Sequence, residues 1–276
     1  ALPPPVLRGV RALFGRLSGP EAIQELVRAV EESEGREGLV ALLSFFPPDA
    51  LPSLLRASET TRVEGVRGAI LAAAERLAGK EGERLLPLLG NPDALIATAA
   101  TRLASRRKLE AAAPEIARQL TRPEMSLRLA AVEALQELRT SVAAQALLGV
   151  LEDPEREVRV AAARALAALR YTPARPALEE ALASRRLREA ELSERIAFFE
   201  AYGSVAGEEE VGMLERILNG KSWLGRRESS EMRACAALGL GRAALPSARR
   251  ALAAAAADTD PVVRSAVGRA LRGSEP

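Results

Sequence analysis

Proton transfer and metal binding at neutral pH most often begin with histidine, and this chain of 276 residues contains none. Its absence removes the commonest general base and the commonest nitrogen ligand for metals. The single cysteine, Cys235, falls on an apolar helical stripe, where a small buried thiol is the ordinary reading and a nucleophile would want a base that the neighbouring sequence lacks. Neither a phosphate-cradling glycine loop nor a dinucleotide fingerprint is present, and Gly203, Gly207, Gly239 and Gly241 read as glycines of close helix packing or helix ends. The carboxylate runs Glu31-Glu32 and Glu208-Glu209-Glu210 read as solvated groups at helix ends or starts, the latter favoured by the helix dipole. No catalytic residue, cofactor or metal is assigned, and the expectation is a protein that is not an enzyme. The residues suited to recognition are Arg185, Arg186, Arg188, Lys221, Trp223, Arg226 and Arg227. Guanidinium forks engage carboxylates, and a lone tryptophan supplies a broad apolar anchor.

These residues lie in two stretches, 184–193 (SRRLREAELS) and 219–230 (NGKSWLGRRESS), and the meaning of both depends on what surrounds them. From Asp153 to Leu169 the chain reads DPEREVRVAAARALAAL. Val158, Ala161, Ala162, Ala165, Leu166 and Leu169 form one apolar stripe at helical spacing. Asp153 reads as the cap and Pro154 as the first helical residue. With Arg159 as anchor, the same register holds Arg36, Arg67, Arg128, Arg195, Arg233 and Arg264, and Ala97 stands between Arg67 and Arg128. The spacings are close to 31 residues, except for two longer intervals, Arg159 to Arg195 and Arg195 to Arg233. A shorter helix is expected ahead of each, over 21–31, 49–57, 82–89, 111–120, 142–151, 174–183, 208–218 and 246–256, with proline turns between them. About eight helix pairs result. The recurring arginines are expected to pair with acids of adjacent repeats. The two long intervals enlarge the same turn of the sixth and seventh pairs, so the insertions should emerge side by side. A further helix over 6–17, with Leu7, Val10, Phe14 and Leu17 on one side, would cap the first pair, giving a linker and capping helix over 1–20 and a solenoid over 21–276.

Aromatic residues make up only 3% of the chain against 48% hydrophobic, so packing falls to Ala, Leu and Val, as in close-packed helices. Lys plus Arg number 39 and Asp plus Glu 37, a net charge of +2, too small to draw the chain to a polyanion without a local patch. One cysteine excludes an internal disulfide and is compatible with the cytoplasm, the expected location. No apolar run is long enough for a membrane span. The chain starts at Ala1 followed by Pro3, Pro4 and Pro5, which reads as the end of a linker in a longer chain.

DPEREVRVAAARALAAL and DTDPVVRSAVGRAL, at 153–169 and 258–271, resemble the second helix of HEAT repeats, in particular the short phycobilisome-lyase-like variety. The resemblance covers roughly 21–271. It implies an all-α fold, a right-handed α-α superhelix of helix pairs, with use as a non-enzymatic protein-binding scaffold. HEAT-like hydroxylases hold iron through histidine and acid motifs, which this chain cannot supply. The expected partner is a protein with an acidic segment. The alternatives are a nucleic-acid-binding protein like the alkylpurine DNA glycosylases built on HEAT-like repeats, suggested by a pI near 9.0, and a bilin lyase or chaperone. Arg102, Glu133, Arg164, Glu200 and Arg269 take equivalent places five residues after the anchor, and their alternating sign argues against a cationic groove for a duplex.

Overall fold

A computed structural model describes residues 3–32, 38–220 and 228–273, the side chains of Leu7 and Arg11 excepted. Arg36, Lys221, Trp223, Arg226 and Arg227, and the contribution of Leu7 to the first helix, therefore lie outside the described residues. Among the described residues there is no strand, and the chain is all-α. It divides into two compact units, 1–140 and 141–276.

The first unit holds α1 (Pro4–Arg16), α2 (Pro20–Glu32), α3 (Leu39–Leu43), α4 (Leu51–Thr60), α5 (Glu64–Leu77), α6 (Leu86–Leu89), α7 (Ala94–Arg106), α8 (Ala113–Gln119) and α9 (Met125–Leu138). Phe14 of α1 lies against Phe45 and Phe46, just after α3, with ring centroids 5.6 and 5.0 Å away. The helices form pairs as the stripes require, but the order of the early pairs differs from the sequence reading. The main neighbour of α7 on its N-terminal side is α4, read as a first helix of its pair, and not α5. Two ion pairs tie α4 to α7, Arg56 with Asp93 and Arg102 with Glu59, the latter at 2.6 Å. The cause lies at 79–85: Gly79 and Gly82 take left-handed backbone (φ 86° and 75°) and stop α5, so the following helix shrinks to the single turn of α6. α5 then packs on α3 and α4 while α6 packs on α7 and α8.

The second unit holds α10 (Ser141–Ala146), α11 (Arg156–Leu169), α12 (Arg175–Ala183), α13 (Arg185–Glu189), α14 (Leu192–Ser204), α15 (Glu208–Leu218), α16 (Ser230–Arg242), α17 (Pro246–Ala254) and α18 (Pro261–Gly273). Here the pairs follow the sequence reading: α11, α14, α16 and α18 stack in one row, and α15 and α17 pack behind α16. Val158, Leu166, Ala162 and Ala165 are fully buried, as is Leu135 of the first unit. A Cβ built on Gly203 would meet the Gly239 carbonyl oxygen at 1.9 Å, and one on Gly239 would meet the Phe199 carbonyl oxygen at 2.7 Å. These two glycines let α14 and α16 approach more closely than any side chain permits, the role expected of them.

Turn chemistry corrects one detail of the stripe at 153–169. Asp153 does not cap the helix directly: its Oδ1 accepts from the Glu155 N–H at 2.8 Å, which folds a tight turn and delays α11 until Arg156. The expected arrangement does occur at α18, where Asp260 Oδ1 accepts from the Val262 and Val263 N–H groups at 2.8 and 3.3 Å and Pro261 opens the helix.

The anchor arginines have two tasks. Arg67, Arg128, Arg159 and Arg264 each donate to the carbonyl six residues earlier, those of Thr61, Arg122, Asp153 and Asp258, at 2.7, 2.9, 2.8 and 2.6 Å. A turn that enters a helix leaves carbonyls without backbone partners, and a guanidinium returning from the second helical turn satisfies them. The second task is the expected ladder, present within the second unit: Arg159 to Glu194 at 2.6 Å, Arg195 to Glu231 at 2.6 Å, and Arg233 to Asp258. At Ala97 the arginine is missing, yet the equivalent carbonyls are still covered. Arg122 reaches across from the next pair to those of Asn91 and Pro92 at 3.2 and 3.1 Å, six and five residues before Ala97.

Candidate partner-binding surface

The insertion of the sixth pair is a helix, not an open turn. Ser184 caps α13 by accepting from the Leu187 N–H at 3.2 Å, and Leu187 is fully buried. Three arginines flank that anchor and do different things. Arg186 donates to the Leu151 carbonyl at 3.1 Å and the Glu152 carboxylate at 3.0 Å, binding α13 to the end of the preceding pair. Arg188 faces Glu228, whose side chain is only 4% exposed, through two contacts of 3.4 Å. Arg185 stands in solvent with its side chain 87% exposed and, among the described residues, pairs only with Glu189, one turn along its own helix. Of the acids along this edge, Glu189 and Glu228 meet Arg185 and Arg188, Glu231 meets Arg195, and Glu191 meets Arg156. The insertion of the seventh pair opens at Gly220, in left-handed backbone at φ 73°, and closes where the Glu228 N–H donates to the Gly220 carbonyl at 3.4 Å.

Away from that edge, the row α11, α14, α16, α18 carries two recesses that sequence reasoning did not single out. One, of about 400 Å³, is lined by Arg164, Ala167, Ala168, Arg170, Ala197, Glu200, Ser204 and Arg242. Arg242 donates to one oxygen of Glu200 through Nε and Nη2 at 3.3 and 3.2 Å. The other, of about 490 Å³, is walled by Leu192, Ile196, Leu238, Val262 and Ala266, with Glu231 and Arg269 at its rim. The alternation of Arg164, Glu200 and Arg269 signalled a charged surface, but nothing in the spacing indicated that Arg242 neutralises Glu200. In the first unit a recess of about 420 Å³ is lined by residues of α4, α5, α7 and α9, with Arg102, Arg106, Glu133 and Glu137 among them.

The groups nearest to reactive chemistry are held protonated. Burial pushes the Cys235 thiol up to about 12, and Cys235 is fully enclosed in α16. Burial likewise raises the Tyr202 phenol well above its ordinary value; its hydroxyl contacts the Met213 sulfur at 3.2 Å. Among the described residues no three His, Cys, Asp or Glu side chains gather as metal ligands would, and no helix is long and apolar enough to cross a membrane.

Residues 120–194, which include the DPEREVRVAAARALAAL stretch and α13, match the family model for HEAT repeats. This segment is built of HEAT repeats. No curated protein matches the chain at a significant level. Solved structures similar to it include that of an engineered protein, at 19% identity over 98% of this chain and 84% of that one, with a TM-score of 0.45. Human deoxyhypusine hydroxylase in complex with glycerol is similar at 20% identity over 82% of this chain and 95% of that one, with a TM-score of 0.36. The complex of CpcE and CpcF of phycocyanin lyase from Nostoc sp. PCC7120 is similar at 20% identity over 91% and 94%, with a TM-score of 0.34.

Proposed function

We propose that this HEAT-repeat chain is a non-enzymatic scaffold that holds an acidic segment of a partner protein, with a principal contact at the edge formed by α13 and the insertion that follows Gly220. The observation that carries this reading is the way α13 is held: Leu187 buried, Arg186 and Arg188 clasped on either side, and Arg185 left exposed on a fixed platform. A recognition residue presented by rigid, anchored structure loses little entropy on binding. The sequence supplies Lys221, Trp223, Arg226 and Arg227 in the insertion that follows Gly220. The protonated, enclosed state of Cys235 and Tyr202 supports a role without covalent chemistry. The test is affinity capture from the native lysate, followed by binding measurements with the captured protein. Arg185→Glu and Trp223→Ala should each weaken binding at least tenfold, about 1.4 kcal/mol, with helicity and melting unchanged. Capture of no protein would count against the scaffold, and full affinity in both variants would move the contact off this edge.

A further inference from the structure

Most arginines of the second unit that approach another element are matched by an acid or a carbonyl: Arg156, Arg159, Arg186, Arg188, Arg195 and Arg233 all have such partners. The recess on the outer surface of α11, α14 and α16 departs from that rule. It brings together Arg164, Arg170 and Arg242 against a single carboxylate, Glu200, and that carboxylate is already engaged by Arg242. Arg164 and Arg170 make no side-chain hydrogen bond or ion pair among the described residues, and both are exposed. Two cations sharing one small recess repel each other, and packing gives no reason to place them there. Arg170 ends α11 in left-handed backbone at φ 48°, as Lys108 and Arg139 do at φ 54° and 55° after α7 and α9, so that conformation belongs to the repeat.

The neighbouring recess shares α14 and α16 with this one and is of opposite character. Leu192 and Val262 are 44% and 50% exposed there, beside Ile196 and Ala266, an apolar patch with a charged rim. Along α14 the distance from Leu192 to Glu200 is eight residues, about 12 Å at 1.5 Å per residue. We infer that the two recesses form one groove for an amphipathic, acidic helix of a partner protein. Its apolar side chains enter between Leu192, Ile196 and Val262, and its carboxylates meet Arg164 and Arg170. A protein fits better than a nucleic acid: the groove walls are Ala, Leu, Ile and Val with no aromatic side chain on which a base could stack, and Glu200 and Glu231 would face a phosphate backbone.

This inference rests on the scaffold reading and assigns it a second surface, so its test must separate the two. A random 16-residue peptide library displayed on phage is panned against the wild-type chain, and the enriched peptides are synthesised and measured by fluorescence anisotropy. Enriched sequences should combine apolar residues at i and i+3 or i+4 with Asp or Glu. Their affinity should fall at least tenfold on the double variant Arg164→Glu with Arg170→Glu, and on Val262→Asp, and remain unchanged on Arg185→Glu. All these positions are exposed, and unaltered circular dichroism and melting would establish that the variants fold. Peptides that bind the double variant as tightly as wild type would overturn the groove; if they are lost on Arg185→Glu instead, the scaffold reading stands without it. A library that enriches nothing, or a single-stranded oligonucleotide that binds this face more tightly than any peptide, would also overturn it.

Discussion

Replacing Arg159 by alanine should be among the most damaging single changes in the second unit. Its side chain is 11% exposed and its partner Glu194 only 2%, and the guanidinium donates to both Glu194 oxygens, at 2.6 and 3.0 Å. A third nitrogen covers the Asp153 and Pro154 carbonyls at 2.8 and 2.9 Å. The net gain from a buried pair over apolar residues is small, because desolvating both charges offsets much of their attraction. Removing one partner is different, since Glu194 would be left as a buried carboxylate without a counter-charge, at a cost of about 3–5 kcal/mol. The two freed carbonyls add on the order of 1 kcal/mol, moderated by water entering the vacated space. Chemical denaturation followed by circular dichroism measures the loss, and the double variant Arg159→Met with Glu194→Leu separates the two terms. If the damage comes from an orphaned charge, the double variant should be more stable than Arg159→Ala by about 2 kcal/mol or more. A cost below about 1 kcal/mol for Arg159→Ala, or a double variant as unstable as the sum of its parts, would refute the reasoning.

Leu135→Ala and Leu166→Ala, each removing a fully buried side chain, should each cost about 2–5 kcal/mol in the same denaturation assay. Gly203→Ala should be more damaging than Gly239→Ala, because the added methyl meets backbone at 1.9 Å rather than 2.7 Å; overpacking of this kind costs about 1–3 kcal/mol, read as a lower melting temperature. Arg122→Ala should destabilise by about 1–3 kcal/mol through the Asn91 and Pro92 carbonyls, and adding Ala97→Arg should restore part of the loss by returning a guanidinium to those oxygens from the usual side. Asp260 accepts from the Ser230 hydroxyl, which first among its contacts holds its carboxyl below the ordinary 3.8. A carboxylate depressed on folding stabilises above its unfolded value and loses that contribution as pH falls through the folded one, so acid titration should destabilise wild type below about pH 4 more steeply than Asp260→Asn.

How far the fold was legible depends on which physical cue each part used. The stripes on α9, α11, α14, α16 and α18 are long and regular, and the structure buries most of the positions they nominate, with Ala161, Leu169, Ala266 and Leu271 half-buried, because apolar spacing at helical period reports on which face must leave water. The early pairs were harder. α4 and α5 carry equally good stripes, so periodicity alone could not say which of them stands beside α7; that depended on two left-handed glycines shrinking the next helix to a single turn. α13 was read as an enlarged turn because its apolar content is one leucine, Leu187, and a five-residue helix has no period to detect. The arginine register was visible, but its first task was not. A bond from a side chain to a carbonyl six residues back leaves no mark in residue type at the acceptor, since every residue carries a carbonyl. The groove on α14 and α16 was hidden for a related reason: an arginine and a glutamate 42 residues apart, Arg242 and Glu200, look independent until folding brings them together.

That last pairing changes what the alternating charges mean. Arg164, Glu200 and Arg269 in sequence suggest a surface whose signs cancel and speak against a continuous cationic groove for a duplex. Cancellation, however, is decided by contacts and not by order along the chain. Arg242 lies on the same row and takes up Glu200, which leaves Arg164 and Arg170 without an acid while the net charge of the chain stays near zero. The arginines that hold turns and ladders recur with the repeat; the side chains of Arg164 and Arg170 make no hydrogen bond or ion pair among the described residues. In a chain where the guanidinium is the standard clasp, an arginine with nothing to clasp is the more informative one. The recess on α14 and α16 with the exposed Leu192 and Val262 would give a partner an apolar reason to bind in addition to the charged one.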